Sequence, residues 1–240
     1  PGVCDFVTTA ATHAAAGFCP DIPLGMVEGN PCRRGMEEVA KRANLAFIIN
    51  VVKNYNNKVA GIFAGDFLTA HREGVKLARE SFKVSLPELA DIVIVSSSPA
   101  DLDYWQAEKG VTSAYFAVKK GGIIIFVSPC FEGLAHNHPH FREWLSLPLE
   151  ETLKRLRNAS PFDTSVDIIS AVLAVCNSRV RNKASIFSVS EGLLPEDIEA
   201  MQYTPFPNIE EALNEALRRI PQATIGILPK GGISLPMLEG

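Results

Sequence analysis

The sequence predicts an α/β fold with mixed or mainly parallel sheets and flanking helices, on three observations. Short β-branched apolar runs alternate with amphipathic segments, the runs lack the polar alternation of half-exposed strands, and glycines or turn residues bound most of them. Strands of that kind are buried on both faces, where crossover helices join parallel neighbours. Ligands in such folds gather at the C-terminal ends of the strands.

Taken in order, Asn30-Pro31 opens a helix that runs through 37–43. The run Ala46–Val52 reads as a strand, the turn residues Asn54–Lys58 follow, and Val59–Ala64 is a second strand. Leu68, Val75, Leu77, Ala78 and Phe82 recur near the helical period, and Asp66 stands where an N-cap belongs, so 67–82 is a helix. Asp91–Val95 is a buried-type strand, 101–118 a helix that starts near Asp101, and Gly121–Val127 another apolar strand. Helices over 150–158 and 164–179, a strand over 184–189, a helix over 209–219 and a strand over 223–228 complete the alternation. The softest place for a domain boundary is Val84-Ser-Leu-Pro87, between a helix and a new strand.

Composition narrows the function classes. The chain has 240 residues, 47% hydrophobic and 21% charged, which suits one large or two smaller globular domains. A net charge of -4, with both signs spread along the chain, gives no footprint for nucleic acid. Five widely spaced cysteines without a C-x-x-C pair point to a reducing, cytoplasmic location. No apolar run approaches the roughly 20 residues that span a bilayer, so no membrane partner is expected. No phosphate loop or G-x-G-x-x-G follows a strand, so ATP and nicotinamide use have no support. The sequence begins at Pro1-Gly2 without methionine, and it reads as a piece of something longer.

The segment Ser96–Gly110 carries the first candidate chemistry. It leaves a buried strand, turns through serines and Pro99 and enters a helix on which Gln106 and Lys109 stand three apart, on one face. An amide and an ammonium so placed either grip a carboxylate or are two solvated helix residues. His13, in an Ala-rich stretch, is either a structural histidine or a metal ligand. His71 is either near a site or a surface residue. His136, His138 and His140 are either an exposed loop or an adventitious zinc or nickel site, and a metal hydrolase built on them is a third functional reading. Arg33 and Arg34 beside Asn30-Pro31 are either an anion site at a helix N-terminus or solvated charges, and Cys32 and Cys130 read as inert packing.

The run Asp103–Lys109, then Lys120-Gly-Gly-Ile-Ile-Ile125 and Cys130-Phe-Glu-Gly133, resembles the C-terminal domain of the nickel-dependent lactate racemase family. So do, in order, Pro1-Gly2, Thr8–His13, Gly29-Asn-Pro31, Asn50–Val52, Ala64-Gly-Asp66 with His71, and Ile227–Gly232. The resemblance implies residues 1–84 as the remaining part of an N-terminal domain and 85–240 as a C-terminal α/β domain. It implies racemisation or epimerisation of a small 2-hydroxy acid by hydride transfer to a nickel pincer nucleotide (nickel pyridinium-3,5-bisthiocarboxylic acid mononucleotide), with a histidine base on the hydroxyl. His13 falls at the place of the family's nickel-binding histidine, preceded by Thr12 where the family has asparagine. Gln106 and Lys109 fall on its substrate-carboxylate pair, and Trp105 replaces a tyrosine of the substrate wall, removing a hydroxyl. His13, Gln106 and Lys109 are then expected to converge on one pocket. The family's cofactor-tethering lysine and proton-transferring histidines precede Pro1, so the chain is expected to be inactive without an N-terminal domain. The alternative is a non-catalytic α/β binding or assembly domain that shares only the fold.

Overall fold

The computed structural model describes residues 4–19, 22–160, 162–163 and 165–239. Pro1 and Gly2, which open the family-like order, and Thr164, the expected start of a helix, lie outside them.

An Ala- and Thr-rich helix not expected from the sequence comes first, α1 (Phe6–Gly17). Helix α2 (Pro31–Arg42) starts at Pro31 because Asn30 caps it, accepting from the N–H groups of Cys32 and Arg33. Strands β1 (Ile48–Lys53) and β2 (Val59–Gly65) form an antiparallel hairpin that α3 (Phe67–Phe82) covers on one face. Asp66 caps α3, accepting from Leu68 and Thr69, as its position in the sequence predicts. A short strand β3 (Lys83–Leu86) pairs in parallel with β9 (Leu235–Leu238), about 150 residues later in the chain.

Between those two strands lies the main sheet, built from β4 (Ala90–Ser96), β5 (Val118–Val127), β6 (Ser185–Val189), β7 (Thr204–Pro205) and β8 (Ile225–Leu228). Its order is β7-β6-β5-β4-β8 with every neighbouring pair parallel. The crossovers are α4 (Tyr104–Tyr115), the trio α5 (Phe141–Ser146), α6 (Leu149–Asn158) and α7 (Ile168–Lys183), then α8 (Pro195–Met201) and α9 (Ile209–Arg219). Alternate residues of β4 and β5 feed opposite faces. Val93, Val95, Ile124 and Phe126 pack against α1, α4 and α7, whereas Ile92, Ile123, Ile125 and Phe187 pack against Ala212 and Ala216 of α9. Burying each such side chain contributes roughly 1.5–3 kcal/mol, which is why these strands read as unbroken apolar runs.

The larger core holds one polar knot. Tyr104 and Tyr203 hydroxyls lie 2.7 Å apart, and the Asn177 amide donates to both, at 2.5 and 2.6 Å. Burial pushes both phenols above their ordinary range, so they stay neutral.

The chain leaves β4 toward one side and later returns through β8 on the other, which makes the β4/β8 junction the switch point of the sheet. Gly231 and Gly232 fill it. Gly231 N–H donates to the Ser96 carbonyl at 2.7 Å, and a Cβ on Gly232 would collide with the Ser97 carbonyl. Ser113 of α4 donates to the Gly231 carbonyl at 2.7 Å and ties this turn to the helix. Among the described residues, no helix is long and apolar enough to cross a membrane.

Candidate functional site

Helix α4 starts at the C-terminal side of β4, where the fold places ligands. Its cap is Asp103, not the expected Asp101: the Asp103 carboxylate accepts the Gln106 N–H at 2.8 Å, while the Asp101 carbonyl is engaged by Cys130 N–H. One turn in, Lys109 Nζ donates to Gln106 Oε1 on the exposed face, so the two residues are brought together. The residue between them on the opposite face is Glu108, buried with 4% of its surface exposed. Burial pushes its carboxyl up to about 7, against the opposing pull of the Thr112 hydroxyl and the Lys109 charge.

Lys109 and Glu108 line a cleft of about 550 Å³ together with Arg33, His71 and Arg79. A second cavity of about 460 Å³ is lined by Thr8, Thr9 and Thr12 of α1, and shares Arg33, Met36 and His71 with the first. Glu37 of α2 fixes this region, taking Arg72 of α3 at 2.6 Å and Arg33 of its own helix at 2.7 Å. The Arg72 hydrogen bond, which outweighs the opposing effect of burial, and that of Arg33 hold the Glu37 carboxyl down at about 2. His71 is thus a cleft residue. Burial and the charges of Arg33 and Arg72 push its pKa down, and Arg72 donates to its Nδ1 at 3.2 Å, so the neutral ring keeps its hydrogen on Nε2.

The expected convergence of His13, Gln106 and Lys109 on one pocket is met only in part: Lys109 joins Gln106 and lines the first cavity, whereas His13 lines neither. Its Nδ1 faces the Thr9 carbonyl at 2.8 Å and Thr12 Oγ1 at 3.2 Å, and both of those residues do line the second cavity. Since a carbonyl only accepts, Nδ1 carries the hydrogen and Nε2 keeps its lone pair.

Trp105 stacks flat on His138 and meets Phe141 edge-on. His138 bonds Asp167 at 2.8 Å, and His140 lies 3.8 Å from Glu143. The histidine cluster is therefore dispersed, and among the described residues no group of three or more His, Cys, Asp or Glu side chains is placed to hold a metal. That corrects the hydrolase reading. The anion-site reading of Asn30-Pro31 also falls, because Asn30 Oδ1 already takes the Cys32 and Arg33 N–H groups. Burial pushes the Cys130 thiol up to about 11, which fits inert packing.

Sequence reasoning missed Glu108, although a signal was present: Tyr104, Glu108 and Val111 fall on one stripe of α4, so an acid stands in an apolar row. It also missed Asp167, whose tie to His138 spans 29 residues and has no local signature.

Comparison with known proteins decides the family. A family model described as the lactate racemase C-terminal domain matches residues 86–235. The chain belongs to the lactate racemase family. Two lactate racemases, from Thermoanaerobacterium thermosaccharolyticum and Lactiplantibacillus plantarum, are each 30% identical to it over 237 and 240 residues, covering 96% of this chain. The chain spans about half the length of these relatives, 54% in each case. The solved lactate racemase apoprotein from T. thermosaccharolyticum superposes with a TM-score of 0.81 at 28% identity, over 95% of this chain and 55% of that one. A Thermotoga maritima protein superposes at a TM-score of 0.61 and 16% identity over 88% of this chain and 54% of that one, a likeness of fold alone.

Proposed function

We propose that this chain supplies the substrate-carboxylate wall and the metal-binding histidine of a racemase or epimerase of small 2-hydroxy acids. The observation that carries the reading is the Lys109–Gln106 pair on α4, with Lys109 on the wall of a cleft that also holds Arg33, Arg79 and the neutral His71. An ammonium joined to an amide, beside further cations, is a site for a carboxylate. The resemblance assigns Trp105, next to Gln106, to the rest of the substrate; the indole stands beside the residues that line the Lys109 cleft, packed on His138 and Phe141.

The implied nickel pincer nucleotide fits these residues in one respect that can be read from the structure. His13 offers a single nitrogen donor with its other nitrogen anchored on a carbonyl, the arrangement that orients a histidine ligand. A group that brings its own sulfur and carbon donors needs no more from the protein. When bound, it supplies a hydride acceptor for a carbinol C–H bond that is too weakly acidic for a base alone. Lys109 and Gln106 would hold the carboxylate and so orient the carbinol carbon next to it. His71 has an N–H to donate and no lone pair to spare, so it orients and does not deprotonate. The resemblance assigns the tethering lysine and the proton-transferring histidines to preceding sequence, so residues 1–240 alone are expected to be inactive.

The test is racemisation of an enantiopure 2-hydroxy acid, followed by circular dichroism, in the full-length protein loaded with cofactor. Lys109→Ala should lower kcat/KM about 100-fold, the scale of losing one preorganised charge contact. Unchanged activity would overturn the reading.

A further inference from the structure

We propose that His138, anchored by Asp167, is a positioning residue that clamps Trp105 and thereby shapes the wall that meets the part of the substrate beyond its carboxylate. The proposal rests on the reading of Trp105, Gln106 and Lys109 as that wall.

The geometry is a three-member chain. The Trp105 indole and the His138 imidazole lie with centroids 3.5 Å apart and planes 6° from parallel. Phe141 closes the indole from the edge, at 5.0 Å and 74°. His138 Nδ1 lies 2.8 Å from Asp167 Oδ2, and Asp167 is itself fixed as the cap of α7 by the Ser170 N–H at 3.1 Å and hydroxyl at 2.6 Å. Burial raises the Asp167 carboxyl, but the Ser170 and His138 hydrogen bonds outweigh it and leave the group below its ordinary range, hence ionised. A carboxylate only accepts, so Nδ1 carries the hydrogen and the imidazole plane is fixed by that bond.

A surface histidine packed only for coverage would need none of this. Here a capping aspartate of one helix sets the ring plane of a loop histidine, and that ring sets the indole on a second helix, one residue before Gln106. Asp167 is 12% exposed and His138 22%, so the bond is sheltered from competing water. The charged groups around the ring are Asp167 on α7 and, on the cavity wall that His138 shares, Glu132, Arg142, Glu143 and Asp197. Stacked aromatic pairs contribute beyond their buried area, and the contribution depends on a held geometry. Where the family pattern has a tyrosine hydroxyl to define this wall, the chain has an indole held by a histidine.

The clamp is measurable without activity. In this chain with isotope-labelled histidine, the His138 ring proton should be shifted upfield by the indole, and its nitrogens should report hydrogen on Nδ1. Trp105→Leu should abolish the first signature and Asp167→Ala, which removes the acceptor, the second. In the loaded full-length protein, His138→Ala should raise KM several-fold with a smaller change in kcat, and His138→Phe, which keeps a stacked ring, should recover part of the loss. Absence of the ring shift, or its persistence in Trp105→Leu, overturns the proposal. An intact clamp with KM unchanged in His138→Ala, while Lys109→Ala still raises KM, overturns the positioning role and leaves the racemase reading standing. Lys109→Ala without effect removes both.

Discussion

Glu108 accepts a hydrogen bond from Thr112 Oγ1 at 2.7 Å, on the buried side of the helix whose exposed side carries Lys109. A carboxyl with a folded value of about 7 and an ordinary value near 4.5 favours its neutral form in the fold. Its contribution is fully present below pH 4.5 and is lost as the pH rises through 7. Glu108→Gln, which keeps an acceptor for Thr112, should therefore flatten the fall in stability between those values. Above pH 7 it should add up to about 3 kcal/mol, read by chemical denaturation at several pH values.

The Glu37 carboxylate works in the opposite sense. Held near 2 by Arg72 and Arg33, it contributes stability that is present above its ordinary 4.5 and lost as the pH falls through 2. Glu37→Gln should cost about 1–3 kcal/mol at pH 7 and progressively less in acid, measured as midpoint shifts of urea denaturation.

Asn177 donates to two buried phenols, and its own carbonyl oxygen has no partner among the described residues. Asn177→Ala strands the two hydroxyls with one another and should cost about 2–4 kcal/mol. At roughly 2–4 °C per kcal/mol for a chain of this size, calorimetry resolves the loss.

Gly232 packs against the backbone of Ser97 at the switch point, where no side chain fits. Gly232→Ala should push the 230–234 turn off β4 and cost about 1–3 kcal/mol. Because Ser234 and Leu235 line the Lys109 cleft, the same change should weaken carboxylate binding, whereas Gly121→Ala, with open space around it, should leave binding unaltered despite backbone strain at its φ of 81°. Isothermal titration with a 2-hydroxy acid separates the two variants.

The alternation of strand and helix was legible because the runs of β4 and β5 are buried on both faces and several helices announce their caps, Asp66 before Phe67 most clearly. Strands β1 and β2, expected to be buried like them, instead form an antiparallel hairpin with one face exposed. Helix α1 was not legible: Thr and Ala give no strong periodicity, and the helix is held by packing on α7 and α2. Strands β3, β7 and β9 are two to four residues long and take their identity from partners distant in sequence. At the site, the i,i+3 spacing of Gln106 and Lys109 foretold their contact. The cleft that Lys109 faces was hidden, because Arg33 and His71 reach it from two other helices. The position of His138 was hidden for the same reason: in sequence it stands between His136 and His140, and in space beside Trp105 and Asp167.

Pairing of β3 with β9 has a further consequence. The polypeptide goes into the five-stranded unit and comes out of it side by side, so the two ends of that unit are neighbours in space. A unit with adjacent ends can be cut out or transplanted by joining two neighbouring points, without unthreading any strand from the sheet it carries.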